Sequence, residues 1–221
     1  MKIVYHNGKT KIEEKNKKNW YFFVEWEGDS KKFWLNFPYH LLKIIEEKKE
    51  SDSMKRFTIK AESIIPLKEF LKKNKNKLPY NICMDFLYNI GNQIQTLERF
   101  DLGIPFIDID DIIVVDDKKF LFLNDQKMGD IKLQKIQINN PPKKSLFFSP
   151  ELKSIKKIPS SISYKCSFYS LASLIVYCYL NTPLESENIE NQLKPIYTTK
   201  LYWALLRMLE INPEKRYYLI I

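Results

Sequence analysis

Hydrophobic and polar positions change their period along this chain. Aromatic and β-branched residues run through Trp20-Tyr21-Phe22-Phe23-Val24-Glu25-Trp26, break at Glu27-Gly28-Asp29-Ser30, and resume at Lys32-Phe33-Trp34-Leu35-Asn36-Phe37. That pattern predicts a β-hairpin over residues 19–37. Past Pro38, apolar positions at Leu41, Leu42, Ile44 and Ile45 predict one helical face over residues 40–47. A polar loop to Ser53 and an alternating strand from Lys55 to Ala61 follow. The period then lengthens. Pro66–Leu71 is a short helix opened by proline, and Ile82, Phe86, Ile90, Ile94 and Leu97 mark a long amphipathic helix between Pro79 and Phe100. A hairpin pairs Ile112–Val115 with Phe120–Leu123 around Asp116-Asp117-Lys118-Lys119, and residues 124–149 read as one long irregular segment. An almost wholly apolar helix covers Ser167–Leu180, and a last helix, Thr199–Leu209, is closed by Asn212-Pro213. The reading is α+β, with a β-rich part over residues 1–63 and a mostly helical part over 64–221.

Composition narrows the class. The 221 residues, 44% hydrophobic and 14% aromatic, supply one substantial core or two small lobes around a cleft, and exclude disorder over most of the length. A net charge of +9 raises nucleic-acid binding, because neutralised phosphates release counterions. Only Arg56, Arg99, Arg207 and Arg216 can offer the bidentate fork used to read bases, and the lysines are scattered among Ile and Asn. A solvated lysine surface encoded by an AT-rich genome, such as that of a large DNA virus or an AT-rich parasite, is the favoured reading. Cys83, Cys166 and Cys178 form no Cys-x-x-Cys pair, and His6 and His40 complete no zinc spacing, so buried free thiols are expected. No signal-peptide core lies in Met1–Asn7, and Phe168–Leu180 is too short to span a bilayer. The expectation is a cytoplasmic protein in a reducing compartment, with no membrane partner.

Three short motifs, in order, carry a resemblance. They are Ser149-Pro150-Glu151, Ser167-Phe168-Tyr169-Ser170-Leu171-Ala172, and Leu205 to Arg216 ending in Asn212-Pro213-Glu214-Lys215-Arg216. They resemble the Ala-Pro-Glu, Asp-x-Trp-Ser-Leu-Gly and Asp-Pro-x-x-Arg motifs of the eukaryotic-type protein kinases. The resemblance covers residues 57–216 well and the preceding ones loosely. It implies a bilobal α+β fold with a reduced β-rich N-lobe (a hairpin, one helix and a further strand) and a helical C-lobe. It also implies a buried, bidentate Glu151–Arg216 pair that is structural in role.

The positions that would face ATP depart from the family. Phosphoryl transfer needs a glycine-rich loop, a strand lysine paired with a helix glutamate, a catalytic Asp, and Asn and Asp ligands for magnesium. The five glycines, Gly8, Gly28, Gly91, Gly103 and Gly129, stand at no such loop spacing. Aligning Phe33-Trp34-Leu35-Asn36 with the lysine strand puts Asn36 in place of the lysine, with Glu46 or Glu47 left to supply the helix glutamate. In the catalytic loop, Asp111 replaces the metal-binding Asn. The catalytic Asp is then Phe106, or Asp108 if two residues are deleted; the sequence leaves both open. Asn124 replaces the metal-binding Asp unless the register slips by one to Asp125.

Each feature also has a plainer reading. Asp108, Asp110 and Asp111 suit a carboxylate metal cluster less well than turn residues that cap backbone amides. Trp20, Trp26 and Trp34 suit the core of a small sheet better than a base-stacking surface. The reading taken is an inactive, pseudokinase-like domain that works through a protein partner, with no cofactor expected. The first alternative is an atypical Ser/Thr kinase using Asp108 and Asp125, with ATP and magnesium, and with a lysine borrowed from Lys31 or Lys32. The second is a basic nucleic-acid-binding module on the same scaffold.

Overall fold

Trp20, Phe22 and Val24 alternate with Tyr21, Phe23 and Glu25, and the alternation sorts them onto the two faces of one strand. In the computed structural model, which describes residues 2–7, 9–28, 30–185 and 187–218, that strand is β3 (Asn19–Glu25). It lies in an antiparallel sheet with β1 (Lys2–Asn7), β2 (Thr10–Asn16), β4 (Ile44–Ser51) and β5 (Met54–Lys60), in the order β1-β2-β3-β5-β4. Trp20, Phe22 and Val24 join Ile12, Phe57 and Ile59 on the buried face. On the other face Lys15 and Arg56 lie over the Tyr21 ring and Lys11 over Phe23. Gly8 and Asp29, which entered the loop and turn readings above, lie outside the described residues.

Two expectations are corrected in this part. The return strand at residues 32–37 is instead a helix, α1 (Ser30–Leu35), and its adjacent residues Phe33 and Trp34 are both buried. Adjacent side chains of a strand point to opposite faces, so only a helical turn can bury both on one side. No edge of β3 was open to 32–37 either, because β2 and β5 occupy both. The helix expected over 40–47 is a 3-10 turn at Tyr39–Leu41 followed by β4, which runs through the expected loop. Leu42 is buried and Leu41 and Ile44 pack against the core, but Ile45 is exposed, so the four apolar residues do not form one buried helical face. Pairing with β5 stabilises this charged strand instead: Thr58 donates to Glu46 at 3.0 Å, and Glu50 meets Arg56 at 3.5 Å. Charged side chains suit it as an outer strand. Asn36 therefore sits just beyond a helix rather than on a strand, and Glu46 and Glu47 sit on a strand rather than a helix.

The linker Ala61–Ser63 leads to β6 (Ile64–Pro66), α2 (Leu67–Lys73) and α3 (Tyr80–Glu98). Next come β7 (Leu102–Gly103), β8 (Ile112–Val115) and β9 (Lys119–Phe122), and β6-β8-β9 form a small antiparallel sheet. Helix α3 fixes the outer side of β9: Phe122 N–H donates to Gln93 at 3.0 Å, Gln93 donates back to Phe122 O at 2.9 Å, and Phe120 N–H donates to Asn89 at 2.9 Å. The segment expected to be irregular holds a second hairpin, β10 (Gly129–Lys132) and β11 (Lys135–Ile138). Its turn, Leu133-Gln134, has φ of 50° and 60° at residues that rarely adopt positive φ, so no Asn or Gly announced it. The chain continues through α4 (Pro150–Lys153), β12 (Ser160–Ser163), α5 (Cys166–Leu180), α6 (Ile189–Gln192) and α7 (Lys200–Met208). A second antiparallel sheet runs β12-β11-β10-β7.

One hydrophobic cluster extends from Tyr5 and Ile12 through α3 and α5 to Tyr218. Helix α1 is the joint, with the Phe33 ring edge-on to Phe122 at 6.1 Å. Gly91 of α3 lies against the Tyr218 ring, where a Cβ would stand 2.3 Å from a ring carbon, so any side chain there would have to displace that ring. The architecture is α+β with antiparallel sheets. No described helix is long and apolar enough to cross a membrane. Cys83, Cys166 and Cys178 are free and buried, and burial raises all three thiol pKa values.

Candidate functional site: a polar cleft satisfied from within

The loop from β7 to β8 carries Asp108 and Asp111, and a capping box folds it. Asp108 Oδ1 accepts from Ile109 N–H at 2.8 Å, and Asp111 Oδ2 accepts from Asp108 N–H at 2.7 Å. Asp111 is 3% exposed, and its two oxygens hold further donors. Asn124 Nδ2 donates to Oδ1 at 2.7 Å, and Lys127 Nζ donates to Oδ2 at 2.6 Å. Lys127 also stands 3.9 Å from the centre of the Phe106 ring. Burial raises the Asp111 pKa, and the Lys127 charge opposes that rise.

Asp125 follows directly and faces another way. Its Oδ2 accepts from the indole N–H of Trp34 at 3.0 Å, which ties α1 to the turn after β9. Burial again raises the carboxyl pKa. Asn124 Oδ1 and Asp125 Oδ1 are buried with no hydrogen-bond partner among the described residues. Tyr5 of β1 reaches this neighbourhood, where burial and then the charges of Asp111, Asp125 and Asp110 raise its hydroxyl pKa.

Above Asp111 opens a cleft of about 720 Å³, lined by His6 and Asn7 from β1, Phe106, Asp108 and Asp110 from the loop, Asn124 and Lys127, and residues 136–144. The structure thus brings together Asp108, Asp111 and Asn124 and places Asp125 beside them against α1. It leaves Asn36 out. That side chain donates to Lys32 O at 2.8 Å and lines a separate cavity of about 220 Å³ with Tyr88 and Asn89. No lysine stands on β3, Lys31 is exposed, and Lys32 lies 3.9 Å from Asp130. Lys127 is the cation that reaches the acidic loop, and sequence reasoning missed it. Its only signal was a position three residues after Asn124, which the 3-10 turn Asp125–Lys127 folds back toward Asp111.

The linker between the first sheet and β6 is also satisfied internally. Ala61 O accepts from Trp20 Nε1 at 3.1 Å, and Ala61 N–H donates to Lys18 O at 3.0 Å. Glu62 and Ser63 N–H both donate to Asp116 Oδ1, at 2.7 and 3.3 Å. Asp116 is therefore more than a hairpin residue. A planar ligand lying against this linker would find those groups already engaged.

At the far end, Arg216 Nη1 and Nη2 donate to Glu151 Oε1 and Oε2 at 2.7 and 3.3 Å. The guanidinium is 0% exposed and also donates to the carbonyls of Glu210, Lys165 and Ile211, at 2.9 to 3.3 Å. Ser149 caps α4, accepting from Leu152 N–H at 3.4 Å.

Chemically, the cleft is a poor divalent-cation site. A cation approaching Asp111 would displace an ammonium, an amide and a backbone N–H. Among the described residues no three His, Cys, Asp or Glu side chains group to hold a metal. No protein-family model matches the chain, and no curated protein matches it.

Proposed function

We propose that this chain is a protein-kinase-like domain that has lost phosphoryl transfer and acts by binding another protein. The order of elements supports the kinase-like part. A five-stranded sheet has a helix between its third and fourth strands, and a linker, a long helix and the β8–β9 hairpin follow. The Ser149-Pro150-Glu151 turn is then tied to Arg216 beneath a buried helix. In this reading residues 1–63 are the N-lobe and 64–221 the C-lobe.

The observation that carries the loss of transfer is Lys127 on Asp111. The family needs open carboxylate and amide oxygens for magnesium there, and a strand lysine for the phosphates. Here the cation has moved onto the acid, so the position is already neutralised. Transfer depends on preorganised charge around phosphates and metal, and these changes compound.

A ligand with a dissociation constant 100-fold below its concentration stabilises a protein by about 2.7 kcal/mol. We expect no shift in melting temperature with millimolar ATP and magnesium. The atypical-kinase reading has one observation in its favour, the partnerless Asn124 and Asp125 oxygens. A clear shift that disappears in Asp125→Ala would establish that reading in place of ours.

A further inference from the structure

The positive charge is concentrated. Residues 127–157 hold eight lysines against two acidic residues, Asp130 and Glu151, which places +6 of the net +9 in one segment. Apart from Lys127, these lysines are all exposed, and among the described residues none makes an ion pair. The basic segment leads to an open sheet edge. Strand β12 is outermost in its sheet and pairs on one side only, with β11.

The register shows which groups face out. Tyr164 N–H bonds Gln134 O at 3.2 Å, and hydrogen-bonded pairs recur at every second residue. Ser160 and Ile162 therefore bond β11, while Ser161 and Ser163 direct their N–H and C=O groups away from it. No other backbone group among the described residues bonds these two. Along the edge runs a groove of about 580 Å³, between Ser160–Ile162 and the turn Ser154–Lys157.

We infer that the β12 edge docks an extended acidic segment of a partner protein, which adds as a further strand along Ser161–Ser163 with its carboxylates toward Lys153, Lys156 and Lys157. Strand addition takes affinity from main-chain hydrogen bonds, and the outward groups at Ser161 and Ser163 offer both donors and acceptors. A sugar-phosphate backbone offers acceptors, with the ribose 2′-hydroxyl of RNA as its one donor, and does not match the alternating donors and acceptors of a strand edge. The segment also contains no arginine for bidentate phosphate contacts, and its Phe147 is buried rather than presented for stacking. A second copy of the chain would set these lysines against themselves, which is how edge lysines discourage self-pairing. The same charges attract an acidic strand. The inference shares with the proposed function only the idea of a protein partner. It uses nothing of the kinase likeness, so nucleotide and peptide assays fail independently.

The test is fluorescence polarisation on the full chain, with a labelled peptide of alternating Glu and Val as probe. We expect binding that weakens about tenfold or more, roughly 1.4 kcal/mol or more, in the double variant Lys156→Glu/Lys157→Glu. An equal loss is expected for Ser161→Pro, which removes an outward N–H and no β11 bond. The same peptide N-methylated at alternate residues should bind at least about tenfold worse to the parent. That comparison stands even if the proline variant does not fold. Lys143→Glu/Lys144→Glu, on the cleft rim, is the charge-matched control and should change affinity by less than about twofold. Equal losses in the two charge reversals, undiminished binding of the N-methylated peptide, tighter binding of oligouridylate, or no peptide binding would each overturn the inference.

Discussion

Arg216 has no exposed surface, and its donors are divided between the Glu151 carboxylate and three backbone carbonyls. Removing either partner strands a charge. Glu151→Ala leaves the guanidinium buried without its counter-ion, and Arg216→Ala leaves a carboxylate and three carbonyls unserved. Each variant is expected to lose about 3–5 kcal/mol in urea unfolding. Wild-type unfolding midpoints in both would refute the scaffold role given to the pair. The motif that contains Arg216 was legible because short polar motifs keep their spacing. Lys127 was not legible, because a lone lysine in a lysine-rich chain carries no mark of the carboxylate it will meet.

Helix α1 shows the same limit for an element. Trp34 attaches it to Asp125, while Phe33 meets Phe122 across the junction between the first sheet and the helical part. Trp34→Phe keeps most of the ring packing and removes the donor, leaving Asp125 buried without that bond. A loss of about 1.5–3 kcal/mol is expected, the range for hydrogen bonds to charged groups, measured by denaturant melts. An unchanged melt would mean that packing alone fixes the helix. Residues 30–35 resemble a strand by their aromatic pair, since Phe and Trp favour strands. Which edges remain open decides the outcome, and β5 arrives from later in the chain to close the last edge of β3.

For the molecule as a whole, buried acids shape the response to pH. Burial raises the pKa values of Asp111 and Asp125, and raises that of Glu98, at the end of α3, from 4.5 to about 8. Glu98 Oε1 is buried with no hydrogen-bond partner among the described residues. Between these two values the folded protein holds more protons at Glu98 than the unfolded chain does. Its contribution to stability is therefore fully present below pH 4.5 and is lost as pH rises through about 8. Glu98→Gln should flatten that part of the stability profile and exceed the parent at pH 8 by about 1–3 kcal/mol. A parallel profile for the variant, followed by chemical denaturation across pH, would show that Glu98 is solvated in the folded state.

The sequence by itself determined the helices α3, α5 and α7 and the β8–β9 hairpin, each of which rests on local periodicity. The Glu151–Arg216 pairing came from the resemblance of its two motifs to those of the kinases. The kinase resemblance assigned Asp108, Asp111 and Asn124 to positions facing ATP and metal, but not the hydrogen bonds that engage them. Tertiary structure alone decided that residues 30–35 coil, that 44–51 extend, and that Asn36 stands apart from the cleft. It alone brought Lys127 onto Asp111 and left the β12 edge open. These outcomes depend on which strand edges and charges are occupied by residues far away in the chain, and periodicity along a single segment contains no record of that.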